Sequence, residues 1–265
     1  MGNAKRVEGK VAVITGGGSG IGKGAALRLA EQGAIVCMLD RTLDNANEVK
    51  AQIEAAGGTA DVFETDVSQP EMVEAAMKGV ADKHGRIDIV FVNAGINGTW
   101  APLEELTVED WDQTLSINLK GTFLTVKYAV PYLKENGGGS IIITSSVNGN
   151  RIFSNTGATA YSSSKAGQVA FMKMVALELA PSKIRVNAIC PGAIETNIDD
   201  NTDISPNLDK VKLPVEFPKG SQPLAFKSGT IEQCGDLVLF LASDESSHIS
   251  GTDIYIDGAE SLIRG

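Results

Sequence analysis

Tyr161 and Lys165, which are four residues apart, carry side chains that could exchange a proton with a substrate. If the segment is a helix, this spacing places the phenol and the ammonium on one face, one turn apart. A free tyrosine has a pKa near ~10, which is too high for efficient proton exchange at neutral pH. A lysine cation one turn away stabilises the phenolate and lowers that pKa. Tyr-x-x-x-Lys is also a common surface pattern, so the pair predicts an acid–base centre only when other site motifs accompany it.

A glycine-rich turn with the sequence TGGGSGIG follows the first apolar run, over residues 15–22. Glycine lets the backbone turn tightly and approach a pyrophosphate, and the amides that open the next helix can hold phosphates. Asp40 is the last residue of the second apolar run, and its carboxylate could accept hydrogen bonds from both hydroxyls of an adenosine ribose. Its charge would repel a 2′-phosphate, which favours NAD over NADP, although the adjacent Arg41 points the other way. A Walker-type phosphate loop is excluded, because no Lys-Ser/Thr pair follows at the required spacing.

Strand and helix patterns alternate along the chain and must position these residues. Most of the strand patterns are apolar at consecutive positions, which is typical of parallel strands covered on both faces. The alternation predicts an α/β fold of the Rossmann type, doubly wound, with a seven-stranded, mostly parallel sheet and helices on both faces. We expect one cofactor-binding domain over residues 1–265. Strands are predicted at 11–15, 35–39, 59–64, 88–92, 140–144, 185–189 and 253–256, and helices at 21–32, 43–56, 71–84, 108–134, 158–180 and 231–243.

Residues 191–229 depart from this alternation, since they hold five of the nine prolines among many polar residues. Such a segment cannot form one long helix. It follows a late strand and therefore starts at the carboxyl edge of the sheet, where ligands bind in open parallel sheets. We expect it to be a lid over the substrate, with a decorative surface loop as the alternative.

Composition excludes several classes of protein and partner. Hydrophobic residues make up 43% and charged residues 21%, as in ordinary globular domains. The net charge of −10 disfavours nucleic acids and anionic membranes as partners. The three scattered cysteines indicate reduced thiols, and the two histidines are too few for a multi-histidine zinc site, so we expect no metal. No apolar run approaches the ~20 residues of a membrane span, and no leader pattern precedes Val11, so we expect a cytoplasmic protein.

Further motifs follow the predicted strand ends in a fixed order. Together with the glycine loop and the Tyr161/Lys165 pair, they resemble the short-chain dehydrogenase/reductase family in its single-domain form. The resemblance covers essentially the whole chain, from about residue 10 to residue 258. The motifs are Asp66-Val67, Asn93-Ala94-Gly95, Asn118, Ser145-Ser146 and Pro191-Gly192-Ala193-Ile194-Glu195-Thr196.

This resemblance implies a catalytic tetrad of Asn118, Ser146, Tyr161 and Lys165. Tyr161 would be the general acid in reduction and the general base in oxidation. Ser146 would hydrogen-bond the substrate oxygen, and Lys165 would bind the nicotinamide ribose and tune Tyr161. Asn118 would hold a water that connects Lys165 to solvent.

The resemblance also implies a dinucleotide cofactor bound along the strand ends, and Asp40 makes NAD the expected form. The phosphates would lie against Gly16, Ser19, Gly20, Ile21 and Gly22, the adenosine ribose against Asp40 and Arg41, and the adenine against Asp66 and Val67. Asn93, Ala94 and Gly95 would line the adenosine side and the floor, Tyr161 and Lys165 the nicotinamide ribose, and Pro191, Gly192, Ile194 and Thr196 the carboxamide end.

The serine of the tetrad departs from the family spacing. The family usually places it thirteen residues before the tyrosine, where this chain has Asn148. The phrase IIITSS over residues 141–146 matches the strand end that carries the serine, so we assign Ser146 and infer a two-residue insertion within 147–159. Asn148 as the polarising group is the alternative.

The leading functional hypothesis is an NAD(H)-dependent oxidoreductase that interconverts a secondary alcohol and a ketone on a small molecule. An NADPH-dependent 3-oxoacyl (carrier-protein) reductase is the alternative, and a non-catalytic dinucleotide-sensing protein is a second. We expect the substrate pocket around Ile96, Asn97, Trp100, residues 150–155 and the segment 195–226. A homotetramer is implied by the resemblance alone, through the helices at 108–134 and 158–180 and the C-terminal strand.

Overall fold

A computed structural model describes residues 5–215 and 220–264, so residues 216–219 of the expected lid lie outside the described residues. The strands are β1 Val11–Thr15, β2 Ile35–Asp40, β3 Thr59–Glu64, β4 Ile89–Val92, β5 Gly98–Trp100, β6 Gly139–Thr144, β7 Ile184–Pro191, β8 Thr202–Ile204 and β9 Asp253–Ile256. The α-helices are α1 Gly20–Glu31, α2 Leu43–Ala55, α3 Pro70–His84, α4 Val108–Leu115, α5 Gly121–Glu135, α6 Thr159–Leu179, α7 Ile231–Ala242 and α8 Ser261–Arg264.

In the described chain, seven strands form one sheet in the order β3-β2-β1-β4-β6-β7-β9, and every neighbouring pair is parallel. This confirms the predicted Rossmann-type α/β fold, with a sheet that is parallel throughout. The strand order reverses between β1 and β4, and a crevice for ligands is expected at the carboxyl ends of these strands.

Both faces of the sheet are buried, which explains the consecutive apolar residues. Val13 of β1 belongs to the core formed with α3, α5 and α6, whereas its neighbour Ile14 belongs to the core formed with α1, α2 and α7. Successive strand side chains point to opposite faces, so each position on a central strand meets a helix layer. The chain thereby holds the carboxyl ends of its strands on a rigid platform.

The single helix predicted at 108–134 is interrupted. The α-helix of α4 ends at Leu115, and a π-helical turn, Ser116–Lys120, joins it to α5. The main-chain carbonyl of Asn118, inside that turn, accepts hydrogen bonds from Thr122 Oγ1 at 2.7 Å and Gln168 Nε2 at 2.9 Å. These side-chain donors compete with the backbone for the carbonyl, and π-turns of this kind often mark functional positions.

The segment 191–229 is more ordered than its sequence predicts. Its strand β8 pairs in parallel with β5 of the loop after β4, forming a second, two-stranded sheet that sequence reasoning missed. A bridge between Ile194 and Gly229 joins the two ends of the segment. As expected, the described part of the segment contains no long helix, only short 3-10 turns such as Ile198–Asn201.

No helix in the described ranges has the length and hydrophobicity that crossing a membrane requires.

Candidate active site

A cleft of about 520 Å³ opens at the carboxyl ends of the sheet strands. Most of the predicted site residues line it, although they come from separate stretches of the chain. These are Gly16, Ser19, Gly20, Ile21, Asn93, Ala94, Gly95, Ser146, Tyr161, Lys165, Pro191, Gly192, Ile194 and Thr196. The remaining predictions, Gly22, Asp40, Arg41, Asp66, Val67 and Asn118, lie outside this lining.

The glycine loop forms a cradle at the start of α1. Gly16 has a φ of 66°, in the left-handed region that favours glycine. At Gly22, a Cβ would lie 2.0 Å from the carbonyl oxygen of Gly16, so the turn closes only without a side chain there. Within the described chain, Ser19 stands at the N-cap without a side-chain capping bond, which leaves the first amides of the helix available to an anion.

The acidic residues predicted for the adenosine side are held by loops at the ends of β2 and β3 and by the glycine loop. Asp40 accepts hydrogen bonds from the amides of Gly18 and Thr42, each at 2.9 Å, which orient its carboxylate at the end of β2. Asp66 accepts from the amide and the hydroxyl of Ser68, at 2.9 and 2.7 Å.

Two neighbours of these acids differ sharply in burial. Val67 is buried against Gly121 of α5, where a Cβ would meet Val67 Cγ2 at 2.9 Å. Arg41 is exposed to solvent.

Asn93 ties three strand ends together. Its amide N–H donates to Thr15 Oγ1 at 2.9 Å, and its Oδ1 accepts from Thr144 Oγ1 at 3.1 Å. Its Nδ2 donates to the carbonyls of Thr15 and Gly16, each at 3.3 Å. Asn93 therefore lines the cleft but uses its side chain to join β1, β4 and β6.

Asn118 is fully buried and braces the wall of the cleft. Its Oδ1 accepts from the amide of Ile96 and its Nδ2 donates to the carbonyl of Ile96, both at 2.9 Å. The same Nδ2 contacts Ser164 Oγ at 3.0 Å. These bonds fix the chain after β4 to α6, while the expected water-holding role of Asn118 stays a prediction.

Ser146, Tyr161 and Lys165 meet where β6 ends against α6. The Ser146 hydroxyl hydrogen-bonds the phenol of Tyr161. Lys165 Nζ donates to the carbonyl of Thr144 at 2.9 Å and lies 5.6 Å from the centroid of the Tyr161 ring. Ser145 Oγ donates to the carbonyl of Lys165 at 2.9 Å, which further ties the strand end to the helix.

Burial governs the titration of this pair. It raises the pKa of Tyr161, because the phenolate would lose its hydration, and the hydrogen bond from Ser146 opposes that rise. Burial also lowers the pKa of Lys165 to about 8. The sequence predicts that the lysine lowers the pKa of the tyrosine, but in this cleft desolvation is the larger effect.

Asn148, the alternative to Ser146, is also buried at the cleft wall. Its amide N–H donates to Ser146 Oγ at 3.2 Å, and its Oδ1 accepts from Asn155 Nδ2 at 3.2 Å. Because the group hydrogen-bonded to Tyr161 is Ser146, the geometry favours Ser146 for the serine role.

Sequence reasoning missed two residues beside this site. Cys190, at the end of β7, lies buried near the titratable groups of Tyr161 and Lys165, and burial raises its pKa to about 11. Its position directly before Pro191-Gly192 was the available signal. Glu260 lines the cleft from the C-terminal region, and its Oε2 accepts from the amide of Ala193 at 3.3 Å.

Comparison with known proteins extends this description. A family model described as enoyl-(acyl carrier protein) reductase matches residues 16–259. The chain is 39% identical to 3-oxoacyl-[acyl-carrier-protein] reductase of Thermotoga maritima over 253 residues, which cover 96% of this chain and 98% of that protein. It is 48% identical to a crystallised 3-ketoacyl-ACP reductase from Sinorhizobium meliloti, with a TM-score of 0.93 over 96% of this chain and 100% of that one.

A third relative was solved with a cofactor. The 3-ketoacyl-(acyl-carrier-protein) reductase of Brucella melitensis, complexed with NADH, is 32% identical, with a TM-score of 0.84 over 96% of this chain and 99% of that one. The similarity thus extends over nearly the whole length of each protein. With the family model and these relatives in agreement, the chain belongs to the short-chain dehydrogenase/reductase family of oxidoreductases.

Proposed function

We propose that this protein is an NAD(H)-dependent oxidoreductase that interconverts a secondary alcohol and a ketone. The observation that carries the proposal is the Tyr161 phenol, hydrogen-bonded to Ser146 beside Lys165, in the same cleft as the glycine loop. The nicotinamide, when bound, supplies or accepts the hydride. The protein supplies orientation, a proton and charge stabilisation.

Each side chain has a role in this reaction. Tyr161 donates its phenolic proton to the carbonyl oxygen during reduction and takes it back during oxidation. Ser146 hydrogen-bonds the same substrate oxygen and holds it near the phenol. Lys165 binds the nicotinamide ribose and stabilises the phenolate, and Asn118 holds a water in contact with solvent. Since burial raises the pKa of Tyr161, a further positive charge in the cleft is needed to make its proton mobile.

The cradle at the glycine loop fits a dinucleotide. The φ of Gly16, the closed turn at Gly22 and the open amides at the start of α1 suit a pyrophosphate. The loop residues from Gly16 to Gly22 would hold the phosphates, and Pro191, Gly192, Ile194 and Thr196 the carboxamide end. Asp66, Val67, Asn93, Ala94 and Gly95 would complete the adenosine side and the floor.

Asp40 favours NAD over NADP. Its carboxylate, oriented by two amides at the end of β2, suits two ribose hydroxyls and repels a 2′-phosphate. The NADH complex of the Brucella melitensis relative is consistent with this choice. Arg41 would lie next to the same ribose.

A carrier-protein reductase is the second candidate, because all three relatives above carry that name. The acidic character of the chain, with a net charge of −10, disfavours an acidic carrier protein as partner. Kinetics with NADH and NADPH side by side, on a free ketone and on a carrier-bound 3-oxoacyl group, separate the two functions.

The substrate side of the cleft favours a small, hydroxylated molecule. Five asparagines line it, and each side-chain amide can both donate to and accept from a hydroxyl. Trp100 lines the same wall, and its buried Nε1 has no hydrogen-bond partner among the described residues. The asparagines are Asn97, Asn148, Asn155, Asn197 and Asn201.

The experiment that tests the function is Tyr161→Phe, assayed with NAD on a panel of alcohols and with NADH on a panel of ketones. We expect turnover to fall by about 10²–10⁴-fold, because the proton donor is lost. NADH binding, followed by its fluorescence, should be retained. Tyr255→Phe is the matched control, since the Tyr255 hydroxyl donates to Asp253 on β9 and does not line the cleft.

A wild-type rate in Tyr161→Phe would remove the tyrosine from the chemistry. Tight NADH binding without turnover on either panel would favour the dinucleotide-sensing alternative.

The organisation of the protein follows the same proposal. Residues 1–265 would form one cofactor-binding domain with the segment 191–229 as its substrate lid. Exposed apolar residues on α5 and α6, Phe123, Met174 and Leu177, support a homotetramer built on these helices. Three buried, unpaired cysteines support the reducing conditions of the cytoplasm.

A further inference from the structure

Three different metal-binding side chains converge on one face of the sheet, beneath α3. Cys37 on β2 and Asp61 on β3 are direct partners in the register of neighbouring parallel strands, so their side chains lie side by side. His84 is the last residue of α3, which packs over that face. The thiol sulfur, a carboxylate oxygen and a ring nitrogen all lie within 4.8 Å of one another.

We propose that Cys37, Asp61 and His84 form a binding site for a zinc-class divalent cation, with water as the fourth ligand. Thiolate, imidazole and carboxylate are the groups that zinc prefers, and the sulfur disfavours magnesium and calcium. None of the three residues lines the cleft described above, so the site is separate from the proposed function.

The three ligand atoms need only small movements to coordinate a zinc ion. Tetrahedral zinc with bonds of about 2.0–2.3 Å places its ligand atoms about 3.4–3.6 Å apart. His84 Nε2 and Asp61 Oδ2 are already 2.9 Å apart and would separate slightly. The Cys37 sulfur lies within 4.8 Å of both atoms, so small side-chain movements suffice to bring it to the ligand distance.

Burial and charge also suit a cation. Cys37 is fully buried, whereas the side chains of Asp61 and His84 are 13% and 11% exposed, so an ion and one water can enter from their side. Lys83 is the competing charge, since its Nζ lies 2.6 Å from Asp61 Oδ1. Its side chain is 56% exposed and can withdraw into solvent when a metal arrives.

The binding step is balanced by one proton. The Cys37 thiol loses its proton to solvent as the sulfur–metal bond forms. The hydrogen that His84 Nε2 donates to Asp61 moves through solvent to Nδ1, which frees the Nε2 lone pair for the metal without changing the charge of the ring. The hydrogen bond between His84 and Asp61 and the ion pair of Lys83 open. No electron is transferred.

A bound metal would join β2, β3 and the end of α3. It would stabilise the folded chain in proportion to the logarithm of free metal concentration, because the unfolded chain does not hold the three ligands together. The strands it joins end at Asp40 and lead to Asp66, so the site braces the adenosine side of the cleft.

The experiment is a titration of the chelator-treated, full-length protein with Co²⁺, followed by competition with Zn²⁺. We expect one Co²⁺ per chain, with tetrahedral visible bands and thiolate-to-metal charge transfer in the near ultraviolet. Cys37→Ser should lose the charge-transfer band, and His84→Gln should weaken binding by about 100-fold or more, the upper end of what loss of an outer-shell partner costs.

Matched controls are Cys234→Ser, another buried cysteine, and His248→Gln, the other histidine, both of which should bind as the wild type does. Lys83→Ala keeps all three ligands and removes the competing cation, so it should tighten metal binding several-fold. This variant tests the site independently of whether Cys37→Ser folds. Binding without the thiolate band in the wild type would overturn the proposal, and so would unchanged affinity in Lys83→Ala.

Discussion

The two sides of the cleft are built differently. On the proposed adenosine side, the carboxylate of Asp40 accepts hydrogen bonds from Gly18 of the glycine loop and from Thr42, and that of Asp66 accepts from Ser68. On the proposed nicotinamide side, Tyr161 and Lys165 are almost fully buried, and burial shifts the pKa of each. The proposed binding side is therefore fixed by hydrogen bonds within and between the loops at the strand ends, whereas the proposed chemical side depends on desolvation created by the whole fold.

Removal of the lysine should give the largest effect on the chemical side. In Lys165→Met, we expect turnover to fall by about 10²–10⁴-fold, because the phenolate of Tyr161 loses its neighbouring cation. Steady-state kinetics with NAD measures this fall. Lys173→Met, on the same helix but 53% exposed and paired with Asp253, is the control. Equal losses in the two variants would contradict a special role for the buried lysine.

The pH dependence of stability should also separate the two sides. In the folded chain the pKa of Lys165 is lowered from 10.5 to about 8. Below pH 8 Lys165 is protonated in both the folded and the unfolded chain. Between pH 8 and 10.5 it is protonated only in the unfolded chain. The free energy of unfolding therefore rises with pH in this range. Across this range, the free energy of unfolding of the wild type should rise by about 3 kcal/mol relative to that of Lys165→Met.

Denaturant unfolding of both proteins across this pH range tests that gain, since thiols and other groups common to both cancel in the difference. A difference that stays constant with pH would mean that the lysine titrates normally.

On the binding side, the charge of Asp40 should decide the choice of cofactor. In Asp40→Ala, we expect the preference for NADH over NADPH, as a ratio of kcat/KM values, to fall by about 10–100-fold, because charged hydrogen bonds worth about 1.5–3 kcal/mol are lost. Glu64→Ala is the matched control, since Glu64 is the register partner of Asp40 on β3. The same fall in both variants would show only an effect of local charge.

The smallest effect concerns the residue that links the two sides. Asn93→Ala should lower the free energy of unfolding by about 1–3 kcal/mol, because carbonyl and hydroxyl groups at the ends of β1 and β6 lose their partner. Asn150→Ala removes an exposed asparagine that bonds Asp253, and should change stability by less than about 0.5 kcal/mol. Similar values for both would indicate that Asn93 does not join the strands.

The sheet was predictable because its strands are buried on both faces and therefore read as apolar runs, such as IIIT before Ser145. The binding side was equally accessible, since the glycine turn and Asp40 depend on local chemistry. The direction of the pKa shift of Tyr161 could not be predicted, because it depends on burial by segments far apart in sequence.

The structural features that the sequence did not predict also depend on contacts between distant segments. The π-turn around Asn118 depends on donors from Thr122 and, fifty residues away, Gln168. Strands β5 and β8 are three residues long and pair across about a hundred residues, so neither shows a pattern of its own. The grouping of Cys37 with Asp61 follows from strand register, which single-sequence periodicity does not provide.

The bridge between Ile194 and Gly229 has a consequence for how this enzyme scaffold can vary. Because the two ends of the intervening stretch are clamped next to each other, added or deleted residues inside it need not displace β7 or α7. Selectivity towards new compounds could then be changed by exchanging that stretch as a cassette, with the catalytic platform left intact.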